Sequence, residues 1–384
     1  FRTASCRVAG RLHRNVIFSR RTSLVVFLLA FMPAASVAQR ARSDWWIQHY
    51  NVQNGLPSSS IIDMAVDTMG FLWLATEGGL ISFDGRNFRS TELIPGHAPL
   101  SNRMRDLVTT TDGGLLAADV KGTSYSVHGF DMAWIQHRTA GRVKVYGSAP
   151  DVETYAALVD TLRNPQDHSG AWAECTFIHG ADGIEGIVRG DNLTRIQKGK
   201  VLGALVLPTR SHSVFQLSGH IYGFTDTLGC FGIGPQLDRT APVRVQWPTG
   251  FNKAAAEWQL FWDPAADEAF LLMDQHLHTV RSSSTGDTLT IAQLELELPK
   301  NTRITCMAVP WKENVLAIGT LSKGLFLYQR MAMRTVECGT GTGEDQAYYA
   351  QLDMGEEGVL TVSSNLRAVL IGEDGCIDPA QPLR

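Results

Sequence analysis

A strand–turn–strand unit from Gly55 to Phe88, followed by a degraded copy 44 residues later, constrains this chain more than any other feature. Ile61–Val66 reads as a strand, Asp67-Thr68-Met69-Gly70 as a turn and Phe71–Thr76 as a second strand. Glu77-Gly78-Gly79 makes the next turn and Leu80–Phe83 the third strand. Leu56 recurs as Leu100, Ser58 as Asn102, Gly70 as Gly114 and Gly78 as Gly122. A repeat of this length built from four short strands is the signature of a propeller blade, and one blade cannot bury both faces alone. The period therefore predicts a ring.

The turn residue before an apolar second strand can be followed along the chain. The anchors are Gly70, Gly114, Gly170, Ser213, Glu268, Asn314 and Gly358, separated by 44, 56, 43, 55, 46 and 44 residues. The reading is an all-β, seven-bladed β-propeller of four-stranded antiparallel blades over residues 42–378, with a short tail at 379–384. The seventh unit (strands near 347–352, 359–363 and 368–371) lacks a fourth strand. Trp45–Tyr50 is a strand without a blade, so pairing it with the last blade closes the ring and leaves no open edge. Eight blades is the competing count, and two sandwiches would make the spacing accidental. The long intervals 125–167 and 226–263 hold protruding loops or a short helix, such as Asp151–Leu162 with Val152, Tyr155, Ala156 and Val159 on one face.

The first 38 residues differ in kind. They carry six arginines and no acid, then the apolar run Leu24–Met32 and the small residues Ser36-Val37-Ala38. That is a secretory signal cleaved after Ala38, and its apolar run is too short for the ~20 residues of a membrane span. Removing it takes Lys+Arg from 34 to 28 against 38 Asp+Glu, a net charge of −10. So acidic a body argues against nucleic-acid binding by this segment. No run of 18 apolar residues follows, so membrane attachment is expected only through missing parts or partners. The five cysteines after Cys6 (175, 230, 306, 338, 376) form no C-x-x-C pair. Cys338 with Cys376 is one conceivable bridge, buried free thiols the plainer account.

Gly55-Leu56-Pro57-Ser58-Ser59-Ser60-Ile61, Asp67-Thr68-Met69-Gly70-Phe71-Leu72-Trp73-Leu74-Ala75-Thr76-Glu77-Gly78-Gly79-Leu80 and Phe83-Asp84-Gly85 together resemble the two-component regulator propeller repeat. Leu56, Asp67, Gly70, Trp73, Thr76, Gly79, Leu80, Phe83, Asp84 and Gly85 carry the motif. Ala75 stands where that repeat usually has Gly. The likeness is strong over about 35 residues, fair around 100–114, partial around 319–325, and covers a third of the mature chain. It implies the periplasmic sensor region of hybrid histidine kinases, which often recognise glycan fragments. The chain is then either the N-terminal piece of a longer sensor or a free-standing secreted propeller working with a partner.

The chemical candidates are few. Trp73 could stack on a sugar, but a mid-strand Trp in a blade points to packing between blades. Asp67, Gly70 and Asp84-Gly85 read as turns. His276 and His278 share a strand face at metal spacing without a third ligand. Gly339-Thr340-Gly341-Thr342-Gly343 lacks the Lys and the βαβ context of a phosphate loop. Neither Gly-x-Ser-x-Gly nor a Ca²⁺ loop occurs, and no catalytic, metal or cofactor site is expected. The expected function is a non-catalytic, periplasmic or secreted ligand sensor binding an oligosaccharide or other small molecule at one channel mouth, with a homodimer left open. A propeller lyase or glycosidase and a protein-binding scaffold are the rivals; facing carboxylates or His, Tyr and Arg groups in one mouth would favour the enzyme.

Overall fold

The structure is a computed structural model in which residues 45–93, 101–135, 143–161, 173–249, 251, 257–311, 315–330, 348–354, 358–363, 368–372 and 375–377 are described. The signal segment, the tail at 379–384, the Gly339–Gly343 run and Cys338 lie outside them. Ser43–Arg384 forms one compact unit. Its described part is strands, one α-helix (α1, Val152–Thr161) and three 3-10 turns, and no described helix is long and apolar enough to cross a membrane.

The described strands pair into seven sheets, and the architecture is a β-propeller. In chain order, sheet I holds Ile61–Val66, Leu72–Thr76, Gly79–Phe83 and Phe88–Ser90. Sheet II runs from Met104–Thr109 to Asp131–Trp134, with Glu92–Leu93 parallel at its outer edge. Sheet III holds Ala173–His179 to Lys200–Val206, with Val143–Tyr146 added parallel on the inner side. Sheet IV spans Val214–Leu217 to Thr240–Pro242, and sheet V spans Trp258–Asp263 to Thr288–Gln293 with Arg244–Gln246 outside. Sheet VI holds Ile304–Ala308, Val315–Thr320 and Gly324–Arg330; sheet VII holds Tyr348–Asp353, Val359–Ser363, Ala368–Gly372 and Gly375–Ile377.

Two expectations are corrected. Trp45–Tyr50 does not join the last sheet. It pairs antiparallel with Gly324–Arg330, Trp45 opposite Arg330 and Tyr50 opposite Leu325, and so becomes the fourth strand of sheet VI. The reason is supply of strands: sheet VII has its own fourth strand at Gly375–Ile377, whereas the chain gives sheet VI only three. The anchors Gly170 and Ser213 are also misplaced. Val214–Leu217 is the first strand of sheet IV, not the second, and the second strand of sheet III begins at Ile184. The extra strand 143–146 and helix α1 lengthen the third unit and push the fourth along, so both second strands start later than expected and the pattern regains register at Glu268.

Packing orders the sheets. Ile61–Val66 lies against Met104–Thr109 on one side and Ile304–Ala308 on the other, so sheet I borders both II and VI. Six hydrophobic clusters of described residues each span two neighbouring sheets: I–II around Trp73 and Tyr125, II–III around Phe177 and Tyr155, III–IV around Ile178 and Phe231. The others are IV–V around Phe224 and Leu271, V–VI around Phe270 and Tyr328, and VI–I around Leu72 and Leu327. Inner strands therefore read as continuous buried runs, such as Leu72–Thr76 and Leu115–Asp119, because neighbours cover both faces.

Polar side chains lock the first strands of neighbouring sheets together. Asp63 Oδ2 accepts from Leu107 N (2.9 Å), Asp106 Oδ2 from Val145 N (3.0 Å) and Asp263 Oδ2 from Val309 N (2.8 Å). Thr305 Oγ1 donates to the Ile61 carbonyl (2.7 Å) across the VI–I seam. The pairing register slips between Ile61 and Asp63, Met104 and Asp106, Ile304 and Cys306, and Tyr348 and Ala350. A bulge at one place in sheets I, II, VI and VII marks them as copies of a single unit.

Candidate functional site

The repeat-motif residues build the frame. Asp67 Oδ1 accepts from Met69 N and Phe71 N, both at 2.9 Å, and its Oδ2 accepts from Trp73 Nε1 at 2.8 Å. Trp73 is 1 % exposed, in the I–II cluster, and offers no stacking surface. Thr76 Oγ1 donates to the Gly79 carbonyl and accepts from Gly78 N, shaping the second turn. Asp84 accepts from Arg86 N and Asn87 N, and these backbone bonds hold its carboxyl below the usual range. Gly70, Gly79 and Gly85 have positive φ, and Leu56, Leu80 and Phe83 are buried.

Two cavities share Val66, Thr109, Trp262, Pro264 and Ala265. One, of about 890 Å³, is walled by the turns after the first strands, including Asp67, Gly70, Gly114, Gln216 and Trp311. There His179 bonds Glu185 Oε2 (2.5 Å) and the Ser148 carbonyl (3.0 Å); burial, the largest single influence, lowers its pKa, but the Glu185 bond and charge together with the Ser148 bond more than offset it and leave it raised. The other, of about 730 Å³, is walled by the first strands and the connections that lead into them, and it is the more richly charged.

At its base Lys144, on the added strand of sheet III, meets Asp63 of sheet I (2.5 Å) and Asp106 of sheet II (2.6 Å). Burial pushes the Asp106 carboxyl up to about 7; the Lys144 ammonium opposes the shift and the Asp63 carboxylate adds to it. Burial alone would lower Lys144, but the two carboxylates outweigh it and keep the amine protonated. Two acids around one ammonium leave one negative charge in excess, which is why the buried acid, not the lysine, yields. Tyr146 follows on the same strand, pushed up by burial to about 12.

The rim carries Glu174, Arg210, His212, Asp226, Trp258 and Arg303. His212 Nδ1 lies 3.3 Å from Glu174 Oε2, and that bond holds Glu174 below its usual range. The Arg210 carbonyl accepts from Ser213 N (3.1 Å) and the Arg303 carbonyl from Leu321 N (2.9 Å), fixing both at the entry to a first strand. Trp258 Nε1 donates to the Asp226 carbonyl (3.4 Å). Sequence reasoning missed all six. Arg210, His212, Asp226 and Arg303 lie outside the strands, and Glu174 and Trp258 lie at or next to the start of first strands, all outside the repeat motif and where apolar periodicity carries no signal. Lining up the residue before each first strand would have raised Arg303 and its counterpart Arg103.

His276 and His278 do not converge on a metal. His278 is buried, its Nδ1 3.2 Å from the His276 carbonyl, while His276 is exposed. Among the described residues no group of three His, Cys, Asp or Glu side chains could hold an ion. Cys175, Cys230 and Cys306 are free thiols.

No protein-family model matches the chain, and no curated protein matches it. Similar solved structures include the extracellular domain of BT3049 from B. thetaiotaomicron, assigned to a hybrid two component system, at 12% identity and a TM-score of 0.42, covering 88% of this chain and 50% of that one. A catalytically inactive virginiamycin B lyase from Staphylococcus aureus, solved with quinupristin, is 7% identical with a TM-score of 0.48, over 75% and 100% of the two chains. The Cps50 (Swd1) β-propeller domain from Myceliophteria thermophila is 11% identical with a TM-score of 0.48, over 73% and 100%. This chain thus spans about half the length of the BT3049 extracellular domain.

Proposed function

We propose that this chain is the extracytoplasmic, ligand-sensing propeller of a two-component-type regulator, and that it binds a glycan at the mouth formed by Arg210, Trp258 and Arg303. The observation that carries the reading is this mouth: a cavity of about 730 Å³ lined by Trp258 at the head of a strand and by Arg210 and Arg303 on connections whose carbonyls accept backbone hydrogen bonds. The motif of Gly55–Gly85 supports the signalling class. Sheets I to VI make the closed wheel, with six blades in place of seven, and sheet VII lies beyond the seam; the six clusters and the pairing of Trp45–Tyr50 with Gly324–Arg330 support this count. A rigid wheel transmits binding as a change in how it packs on a neighbouring domain or protomer.

One observation favours a second reading. The Glu174–His212 pair shares the cavity with Tyr146 and Arg210, groups that a lyase or glycosidase would use as acid and base. A glycan panel incubated with the purified chain separates the two. A sensor gives thermal stabilisation by at least one glycan with no change in the glycan, whereas release of cleaved products would replace the sensor by the enzyme.

A further inference from the structure

We infer that the mouth selects an anionic saccharide, whose ring lies on Trp258 and whose carboxylate or sulfate groups are held by Arg210 and Arg303. This rests on the reading of the mouth as a glycan site and names the chemistry of its ligand.

Three successive entries to first strands supply the three residues: Arg210 before Val214–Leu217 of sheet IV, Trp258 at the head of sheet V, and Arg303 before Ile304–Ala308 of sheet VI. Sheet V lies between IV and VI, so the rim reads cation, aromatic, cation along one arc. The indole is half-buried and tied by its N–H to the Asp226 carbonyl, so one face is fixed before a ligand arrives.

The other charged groups of the cavity already have partners, the Lys144 cluster at the base keeping one carboxylate more than it has ammonium groups. Lys144 is held by Asp63 and Asp106, Glu174 by His212, and Asp263 by the backbone N–H groups of Ala265, Ala266 and Val309. Arg210 and Arg303 are exposed, and no ion pair or side-chain hydrogen bond joins either to another described residue. The contrast with Arg103 is informative. It occupies in sheet II the place of Arg303 in sheet VI, each carbonyl accepting from the residue after the second strand, and its guanidinium is spent on Glu77 at 2.5 Å. Two unmatched guanidiniums face one unmatched carboxylate, Asp226, in a chain whose net charge is −4. Arginine forks grip carboxylate or sulfate bidentately, whereas a neutral sugar would leave both forks to water.

The test is calorimetric titration of the full chain, at physiological salt, with three tetrasaccharides: a hexuronate, its uncharged methyl ester, and a sulfated neutral hexose. The expected result is binding of the hexuronate or the sulfated oligomer, which tells carboxylate from sulfate, with the methyl ester at least tenfold weaker. R210A and R303A each weaken the acidic ligand about tenfold, and R303K recovers only part because it restores charge without the fork. Melting temperatures stay unchanged, since both side chains are exposed. Equal binding of the methyl ester, or acidic binding indifferent to both alanine variants, overturns the anionic preference while leaving a glycan sensor standing. Binding of none of the three overturns the preference; if a wider glycan panel also fails to bind, the sensor reading falls with it.

Discussion

Asp106 Oδ1 lies 2.6 Å from Lys144 Nζ, with the Asp106 side chain wholly removed from solvent. The pair joins the first strand of sheet II to the added strand of sheet III, and Asp63 brings in sheet I. Because Asp106 is raised from 3.8 to about 7, the folded protein holds a proton in that interval which the unfolded chain has lost. Its contribution to stability is present below about pH 4 and falls away as pH rises towards 7. D106N removes that slope. Urea unfolding at pH 5 and pH 8 is expected to show a wild-type loss with pH that exceeds the variant's by on the order of 1–3 kcal/mol. Parallel profiles for the two proteins would refute the assignment.

Asp67 and Trp73 test the turn of the repeat. D67A strips the acceptor from two backbone N–H groups and from the buried indole, and should cost about 2–3 kcal/mol. W73F removes one N–H while keeping most of the packed ring and should cost about 1–2 kcal/mol. In the double variant the losses should sum to less than the two singles, because the 2.8 Å bond is common to both. Strict additivity in denaturant melts would show that the bond contributes nothing.

Gly324 combines a φ of +87° with a position where a β-carbon would collide with the Tyr50 carbonyl. G324A should therefore unseat Trp45–Tyr50 from its partner strand, costing about 2–4 kcal/mol through backbone strain and lost pairing. Hydrogen exchange of amides 325–330 is the readout, and it should rise while exchange in sheet III stays the same. Uniform loss of protection in all sheets would mean that the seam is not a separable unit.

Thr305 gives the seam a second, milder probe. T305V keeps the shape and removes the donor to the Ile61 carbonyl, leaving that oxygen one bond short, at a cost of about 1–2 kcal/mol. The same substitution at exposed Thr240 should be nearly neutral. Equal melting temperatures for T305V and the wild type would contradict the locking role.

The fold was legible where the chain repeats closely. Gly70 and Gly114 each stand before a buried second strand and Gly358 before a half-buried one, as the pattern of turn glycine and apolar run predicts. Sheets III and IV were misread because Val143–Tyr146 and helix α1 interrupt the unit, and a spacing argument has no means of knowing where inserted chain sits. The partner of Trp45–Tyr50 was misjudged for a related reason: Gly375–Ile377 is three residues long and too short to register as a strand by alternation. The mouth was not legible. Arg210 and Arg303 are exposed residues in connections, and what distinguishes them from other surface arginines is that the fold brings both to the wall of one cavity, which no local pattern records.

The pairing of the first described strand with the third strand of sheet VI sets an order of events during synthesis. Trp45–Tyr50 leaves the ribosome early, yet its hydrogen-bonding partners are not made until Arg330 has been added. Throughout that interval two Trp side chains and an open strand edge are available to any sticky surface nearby, and closing so long a loop is entropically slow. Pairing of the leading strand thus waits until Arg330 has been made. For that time Trp45–Tyr50 is an unpaired strand whose edge has to stay clear of other chains.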